Sequence, residues 1–246
     1  KYINNSPDTL TFIWFHLWPN AYKNDKTAFS DQLLENGNTK FYFSNKEQRG
    51  YINKLDFKVN NVTAKSEDHP KYIDIIKLIL PAPLAPGEKA LITTPFFVKL
   101  PYNFSRGGHD RQSYQATQWF PKPAVYDHKG WHPMPYLDQG EFYSEFGNFD
   151  VRITVPENYI VAAAGELQNK EELTKLKQKA ESYERDLKIF IDTKKSLSKK
   201  ANPPDSTPVS AKTTKTLQYK QNNVHDFAWF ADKRFIVNYD ILKLSS

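Results

Sequence analysis

Residues 10–17 read Leu-Thr-Phe-Ile-Trp-Phe-His-Leu, with Thr11 and His16 the only polar members. A run this short and this apolar predicts a strand buried on both faces. Residues 51–59 alternate instead, with Tyr51, Leu55, Phe57 and Val59 on one side and Lys54, Asp56 and Lys58 on the other. Residues 72–80 give a second strand, closed by Pro81, Pro83 and the Pro86-Gly87 turn, and Ala90, Ile92, Phe96, Val98 and Leu100 share a face of a third. Further on, Phe149, Val151, Ile153 and Val155 alternate with Asp150, Arg152 and Thr154 up to Pro156, and residues 159–164 complete a hairpin with them. Strand patterns return at 216–220 and 235–242. Two segments break the period. Residues 27–37 read as a short helix with Gly37 as its stop. In residues 168–200, Leu173, Leu176, Ala180, Tyr183, Leu187, Phe190 and Leu197 recur at helical spacing, with Lys194 interrupting the seam. This long helix lies on its own domain, hairpins against a neighbour, or pairs in a coiled-coil dimer. The Pro- and Ser-containing stretch 203–208 ends it and predicts a mobile, protease-sensitive loop. The expected fold class is therefore all-β, an antiparallel sandwich or saddle of sheets, with an amphipathic helical insertion near 168–200. Residues 1–246 are expected to form one domain, of which 168–215 are the insertion and its flexible loop.

Composition narrows the function classes. Aromatic residues make up 15% of the chain, which suits a packed, strand-rich protein rather than a disordered one. The net charge of +6 is not a nucleic-acid footprint, because residues 170–200 alone hold ten Lys/Arg against six Asp/Glu and so carry +4 of it on a solvated helix face. No partner nucleic acid is expected. The absence of cysteine removes disulfides, thiolate catalysis and cysteine zinc sites. No apolar run is long enough to predict a membrane span, and the polar start Lys1-Tyr2-Ile3-Asn4-Asn5 carries no leader pattern.

The densest aromatic stretch is the candidate functional surface. It runs Gln118-Trp119-Phe120-Pro121-Lys122-Pro123-Ala124-Val125-Tyr126-Asp127, then Gly130-Trp131-His132-Pro133, then Gly140-Glu141-Phe142-Tyr143-Ser144-Glu145-Phe146-Gly147. Its prolines exclude a regular helix or central strand, so its rings must pack over a core or cover another surface. Trp119, Tyr126, Trp131 and Tyr136 are too many large rings to bury together in so proline-rich a segment, which points to an interface. Other constellations read as structural. His128 and His132 have the spacing of zinc ligands on a helix, but Gly130 and Pro133 argue against that helix. Glu141 and Glu145 lie in an extended segment bracketed by Gly140 and Gly147. The Gly107-Gly108 loop with His109 lacks the helix a phosphate cradle needs, and no Gly-x-Ser-x-Gly elbow occurs. Asn4, Asn61 and Asn103 stand in glycosylation sequons, which matter only in a glycosylating host. No catalytic or metal-ligating residue is assigned.

The aromatic stretch resembles the N-terminal domain of the aminopeptidase N family of zinc metallopeptidases (gluzincins), in its bacterial, Bacteroidetes-like form. The resemblance extends to residues 6–10, to Phe15-His16-Leu17-Trp18-Pro19-Asn20-Ala21-Tyr22, to the turn Leu84-Ala85-Pro86-Gly87 and to Val224-His225-Asp226-Phe227-Ala228-Trp229. Two family motifs are absent: no His is followed by Glu, so there is no H-E-x-x-H, and the one Met, Met134, is not in a G-x-M-E-N context. The resemblance implies a non-catalytic domain that shields the cleft and positions peptide substrate, partnered by its own C-terminal catalytic domain. Any zinc would belong to that domain, and no cofactor is implied for this chain. It also implies export to the periplasm or cell surface with the leader removed. Gln118, in a Thr-Gln context, matches the residue with which the family's N-terminal domain lines the substrate pocket, so Gln118, Trp119 and Phe120 are the expected substrate-binding residues. Tyr126, Trp131 and Tyr136 are the expected docking residues. Many family members carry an acid two positions after that Gln to bind the substrate amine; in this chain Phe120 stands there and brings no charge for an amine. The other reading of the same rings is a free-standing β-sandwich module binding carbohydrate or protein through exposed aromatics.

Overall fold

The computed structural model describes residues 1–194 and 207–238. The described chain is built mainly of strands, with two α-helices, and its named strand pairs are antiparallel, so the all-β expectation holds. It divides into two compact units. The first is Lys1–Gly147 together with Asn223–Ala228; the second is Asn148–Asn222 and the segment from Trp229 onward.

The first unit is organised on a four-stranded sheet ordered Lys122–Pro123, Leu10–His16, Ile75–Leu84, Ser66–Asp68. The apolar run becomes its inner strand, as its composition requires. Ile13 and Phe15 are fully buried, while Phe12 and Trp14 on the opposite face are half-buried. Those two are covered by other rings, Phe12 lying 5.9 Å from Trp131 and Trp14 lying 5.2 Å from His69. Ile76, Leu78, Leu80, Ile52, Phe57, Val59 and Ala90 complete the core beneath the sheet. The strand expected over 72–80 continues to Leu84 through Pro81 and Pro83. It can do so because the register shifts between Leu10 and Phe12, leaving the exposed Pro81-Ala82-Pro83 segment outside the ladder. The alternation expected over 51–59 is broken. Two short strands, Tyr51–Asn53 and Lys58–Val59, flank Lys54 at φ 58°, so burial switches from Ile52 to Phe57 and Val59.

A second, almost wholly aromatic core sits beside the sheet. Trp18–Tyr22 is a 3-10 helix opened by Pro19, and helix α1, Ala28–Glu35, follows with Thr27 Oγ1 accepting from Ser30 N as its cap. Trp18, Tyr22, Phe29, Leu33, Phe41 and Tyr136 are buried together here. Burial in this cluster pushes the Tyr22 hydroxyl well above its ordinary pKa, so it stays protonated and donates to the Tyr136 hydroxyl at 2.7 Å.

In the second unit Gly147–Pro156 forms a three-stranded sheet with Thr214–Val224 and Glu166–Leu167, and Ile160–Ala163 pairs with Trp229–Asp232. The expected hairpin between 149–155 and 159–164 is therefore absent; each strand finds its partner in the chain after residue 213. Helix α2, Lys170–Lys194, occupies the predicted insertion. Over 170–182 its buried face keeps Leu176 and Ala180 of the expected seam but not Leu173, and the burial of Tyr183, Leu187, Phe190 and Leu197 lies outside what is described. Leu173 is 39% exposed, whereas Glu172 and Ala180 are buried and Leu176 half-buried. Glu172 goes inward because it pairs with Lys215 on the Thr214–Val224 strand. Of the strand expected over 235–242, residues 235–238 are irregular and the rest lie outside the described residues, as does most of the 203–208 loop.

Candidate functional site

Strand Ser113–Ala116 ends at a backbone reversal in which Gln118 takes φ 48°, a left-handed conformation that a long unbranched side chain adopts only under constraint. The constraint comes from the segment Asn223–Ala228. Gln118 Nε2 donates to Asp226 Oδ2 at 3.1 Å, and Trp119 Nε1 donates to the Phe227 carbonyl at 2.9 Å. Phe227 itself is fully buried and anchors the segment. Two residues beyond Phe120 the chain becomes an edge strand, with Lys122 paired in register with His16 and Pro123 with Phe15. A proline is tolerated there because an edge strand has one side free of ladder bonds.

Lys122 is the unexpected member of the site. Its side chain is buried, its Nζ donates to the His225 carbonyl and lies 3.7 Å from Asp226 Oδ1, and it sits 6.0 Å from the Trp18 ring and 5.9 Å from the Phe120 ring. Burial lowers the Lys122 pKa, and the Asp226 carboxylate pulls it partly back. Asp226 thus serves two donors, one charged and one neutral. His16 lies on the neighbouring strand, stacked on Trp18 at 4.4 Å, with Nε2 accepting from Met134 N at 3.1 Å. Burial, and secondarily Lys122, lowers its pKa to about 3, so the ring is neutral.

The expected substrate-binding residues are brought together. Gln118, Trp119 and Phe120 are all half-buried, and Trp119 packs 5.3 Å from Phe120 and 5.9 Å from Phe96, which is 36% exposed. The result is an aromatic ledge beside a polar cluster of Gln118, Asp226 and Lys122. The expected docking residues are dispersed. Tyr126 and Trp131 face each other across the hairpin Val125–Asp127 with Gly130–His132, half-buried and 4.9 Å apart, and Tyr126 donates to Asp8 Oδ2 at 2.7 Å. Tyr136 is a correction: it is 1% exposed in the aromatic core, so in this chain it is a packing residue and not a surface one. The backbone carries it inward because the buried Asp74 carboxylate accepts from Tyr136 N at 2.7 Å.

His128 and His132 lie on that same hairpin and not on a helix, with His128 exposed in its turn. His132 Nε2 instead donates to Asp127 Oδ1 at 2.8 Å, and Tyr143 donates to Asp127 Oδ2 at 3.1 Å. His132, followed by the Lys129 amide, lowers the Asp127 pKa to about 2. Glu141 and Glu145 are exposed. Asn4, by contrast, is buried and donates to the Asp8 and Leu84 carbonyls, so its sequon is closed in the folded chain. Among the described residues no group of three or more His, Asp and Glu is arranged to hold a metal ion, and no helix is long and apolar enough to cross a membrane.

Lys122 and Asp226 could not be paired from the sequence because they are remote in the chain. The available signal was Lys122 between two prolines, an odd place for a solvated lysine. The chain matches no protein-family model, no curated protein and no solved structure.

Proposed function

We propose that this chain is the non-catalytic N-terminal domain of a zinc metallopeptidase similar to aminopeptidase N, and that the Gln118–Phe120 ledge forms one wall of its peptide-binding cleft. The observation that carries the reading is the backbone of Gln118. A non-glycine residue held at φ 48° costs on the order of 1 kcal/mol, and such strain persists where the position of a side chain matters. Asp226 holds the nitrogen end of the amide, and the carbonyl end, buried beside a small pocket, is left to accept from a donor placed in that pocket, a water in the free protein and a ligand N–H in the bound one. A neutral amide does this without the desolvation cost of a buried charge. The half-buried rings of Trp119 and Phe120 exclude water beside it, which strengthens polar contacts to a bound peptide. In this reading zinc, hydrolysis and export belong to the parent protein, and the chain's C-terminal catalytic partner supplies the metal site.

The test has two parts. The coding sequence after Ser246 should contain H-E-x-x-H followed by a distant Glu. In that full-length protein Gln118→Ala should lower kcat/KM on peptide substrates roughly tenfold, about 1.4 kcal/mol, as expected for one lost neutral hydrogen bond. Unchanged kinetics would remove Gln118 from the cleft.

The exposure of Phe96 beside Trp119 favours a second reading, a free-standing module gripping carbohydrate or protein through its rings. A stop codon after residue 246, with binding lost in Trp119→Ala, is the outcome that reading requires.

A further inference from the structure

Four buried side-chain polar atoms lack a hydrogen-bond partner among the described residues: His16 Nδ1, Ser30 Oγ, Thr117 Oγ1 and Gln118 Oε1. The last two belong to adjacent residues, and both residues line one small cavity together with Trp18, Gly107, Trp119 and Tyr136. An unsatisfied buried polar atom costs on the order of 1–3 kcal/mol, so two on adjacent residues that line one pocket call for a partner there. The cavity is about 10 Å³, the space of a single water.

The chemistry of that partner follows from Asp226. A carboxylate only accepts, so it takes the Gln118 Nε2–H and fixes which end of the amide faces it. The opposite end, Oε1, is then an acceptor. Whatever occupies the cavity must donate to it, and must also satisfy a hydroxyl that accepts or donates. Gly107 keeps the space open: a Cβ at that position would lie 2.9 Å from Thr117 Oγ1.

We propose that the Thr117–Gln118 cavity is an internal binding site for one hydrogen-bond donor, occupied in the free protein by a single ordered water that donates to Gln118 Oε1 and bonds Thr117 Oγ1. Asp226 is the positioning residue that sets its polarity. Any ligand group that displaces the water has to bring an N–H or O–H of its own. The inference stands on the cavity and its two atoms, independently of the peptidase reading.

The experiment uses the whole 246-residue chain. A high-resolution crystal structure should show a water at about 3 Å from both Gln118 Oε1 and Thr117 Oγ1. In solution, oxygen-17 relaxation dispersion counts long-lived internal waters. That count should fall by one in Gly107→Ala, and also in Thr117→Val, which keeps the shape of the side chain and serves if the alanine variant fails to fold. Asp226→Asn should leave the water in place but allow the amide to turn, so that the Gln118 side-chain NH₂ signals in a nitrogen-15 spectrum shift or double. A wild-type structure in which the cavity is dry, or in which the two atoms bond each other or other protein groups, overturns the proposal. So does a wild-type water count that neither folded variant lowers.

Discussion

Two buried ionisable side chains in the first unit make opposite demands on pH. His16, whose ordinary pKa is 6.5, is held at about 3 by burial and by Lys122. As pH falls below 6.5 the unfolded chain takes up a proton that the folded chain refuses, so the stability His16 contributes is complete above that pH and drains away towards pH 3. Asp74 runs the other way. Burial raises it from 3.8 to about 6 against the hydrogen bond from the Tyr136 amide, so the folded form takes up its proton first. Its ionised state weighs on the fold above pH 6, and that penalty is relieved as pH falls from 6 to 3.8. Asp74→Asn keeps an oxygen for Tyr136 N and removes the charge. It should stabilise the chain at pH 8 by up to about 3 kcal/mol, at roughly 1.4 kcal/mol per pKa unit, and have little effect at pH 4. Urea midpoints at the two pH values test this, and equal destabilisation at both would show that Asp74 is needed as an anion. These properties could not be read from sequence, since His16 sits in an apolar run and Asp74 in an ordinary strand approach. Burial in the folded chain creates both shifts, with Lys122 adding to that of His16.

Among the elements, helix α2 shows how far a periodic pattern carries. The spacing of Leu173, Leu176 and Ala180 located the helix, because the chain's longest 3/4 repeat leaves no other regular structure. It misplaced one position of the first turn, Leu173. Glu172, Leu176 and Ala180 form the inward row, since the carboxylate of Glu172 finds the ammonium of Lys215 and also sits in the first turn, where the helix dipole favours an acid. Glu172→Ala should destabilise the second unit by about 1–3 kcal/mol, short of the full cost of breaking a buried pair because Lys215 retains some access to water. Leu173→Ala should change it by less than about 1 kcal/mol. Thermal melts of the two variants decide the matter; a larger effect for Leu173 would restore the original seam. The strands divide in the same way. Leu10–His16 was legible because every second residue on each side had to be covered. The broken strand at 51–59 was not, because a left-handed Lys54 leaves no mark in an otherwise clean alternation. The partners of Gly147–Pro156 were not legible either, being set by chain returning after residue 213.

For the molecule as a whole, the first unit is completed by six residues that arrive late in the sequence, Asn223–Ala228. They bring a fully buried Phe227, the acceptor for Trp119 and the counter-charge for Lys122. A fragment ending at Gly147 should therefore lose several kcal/mol, since an uncompensated buried lysine alone costs about 3–5. Joining residues 223–228 to it through a flexible linker should recover most of the loss. Equal melting temperatures for the two fragments would refute this dependence. The Pro81-Ala82-Pro83 segment acts at the same scale but outward. Ser66–Asp68 pairs with Ile75–Leu84 only as far as Leu78, so the strand runs on with one side uncovered. Backbone there would offer N–H groups to any passing strand, and the two prolines withdraw them. A second copy of the chain therefore meets a margin without those donors, and the segment set free by the register shift is also a poor place for another strand to add.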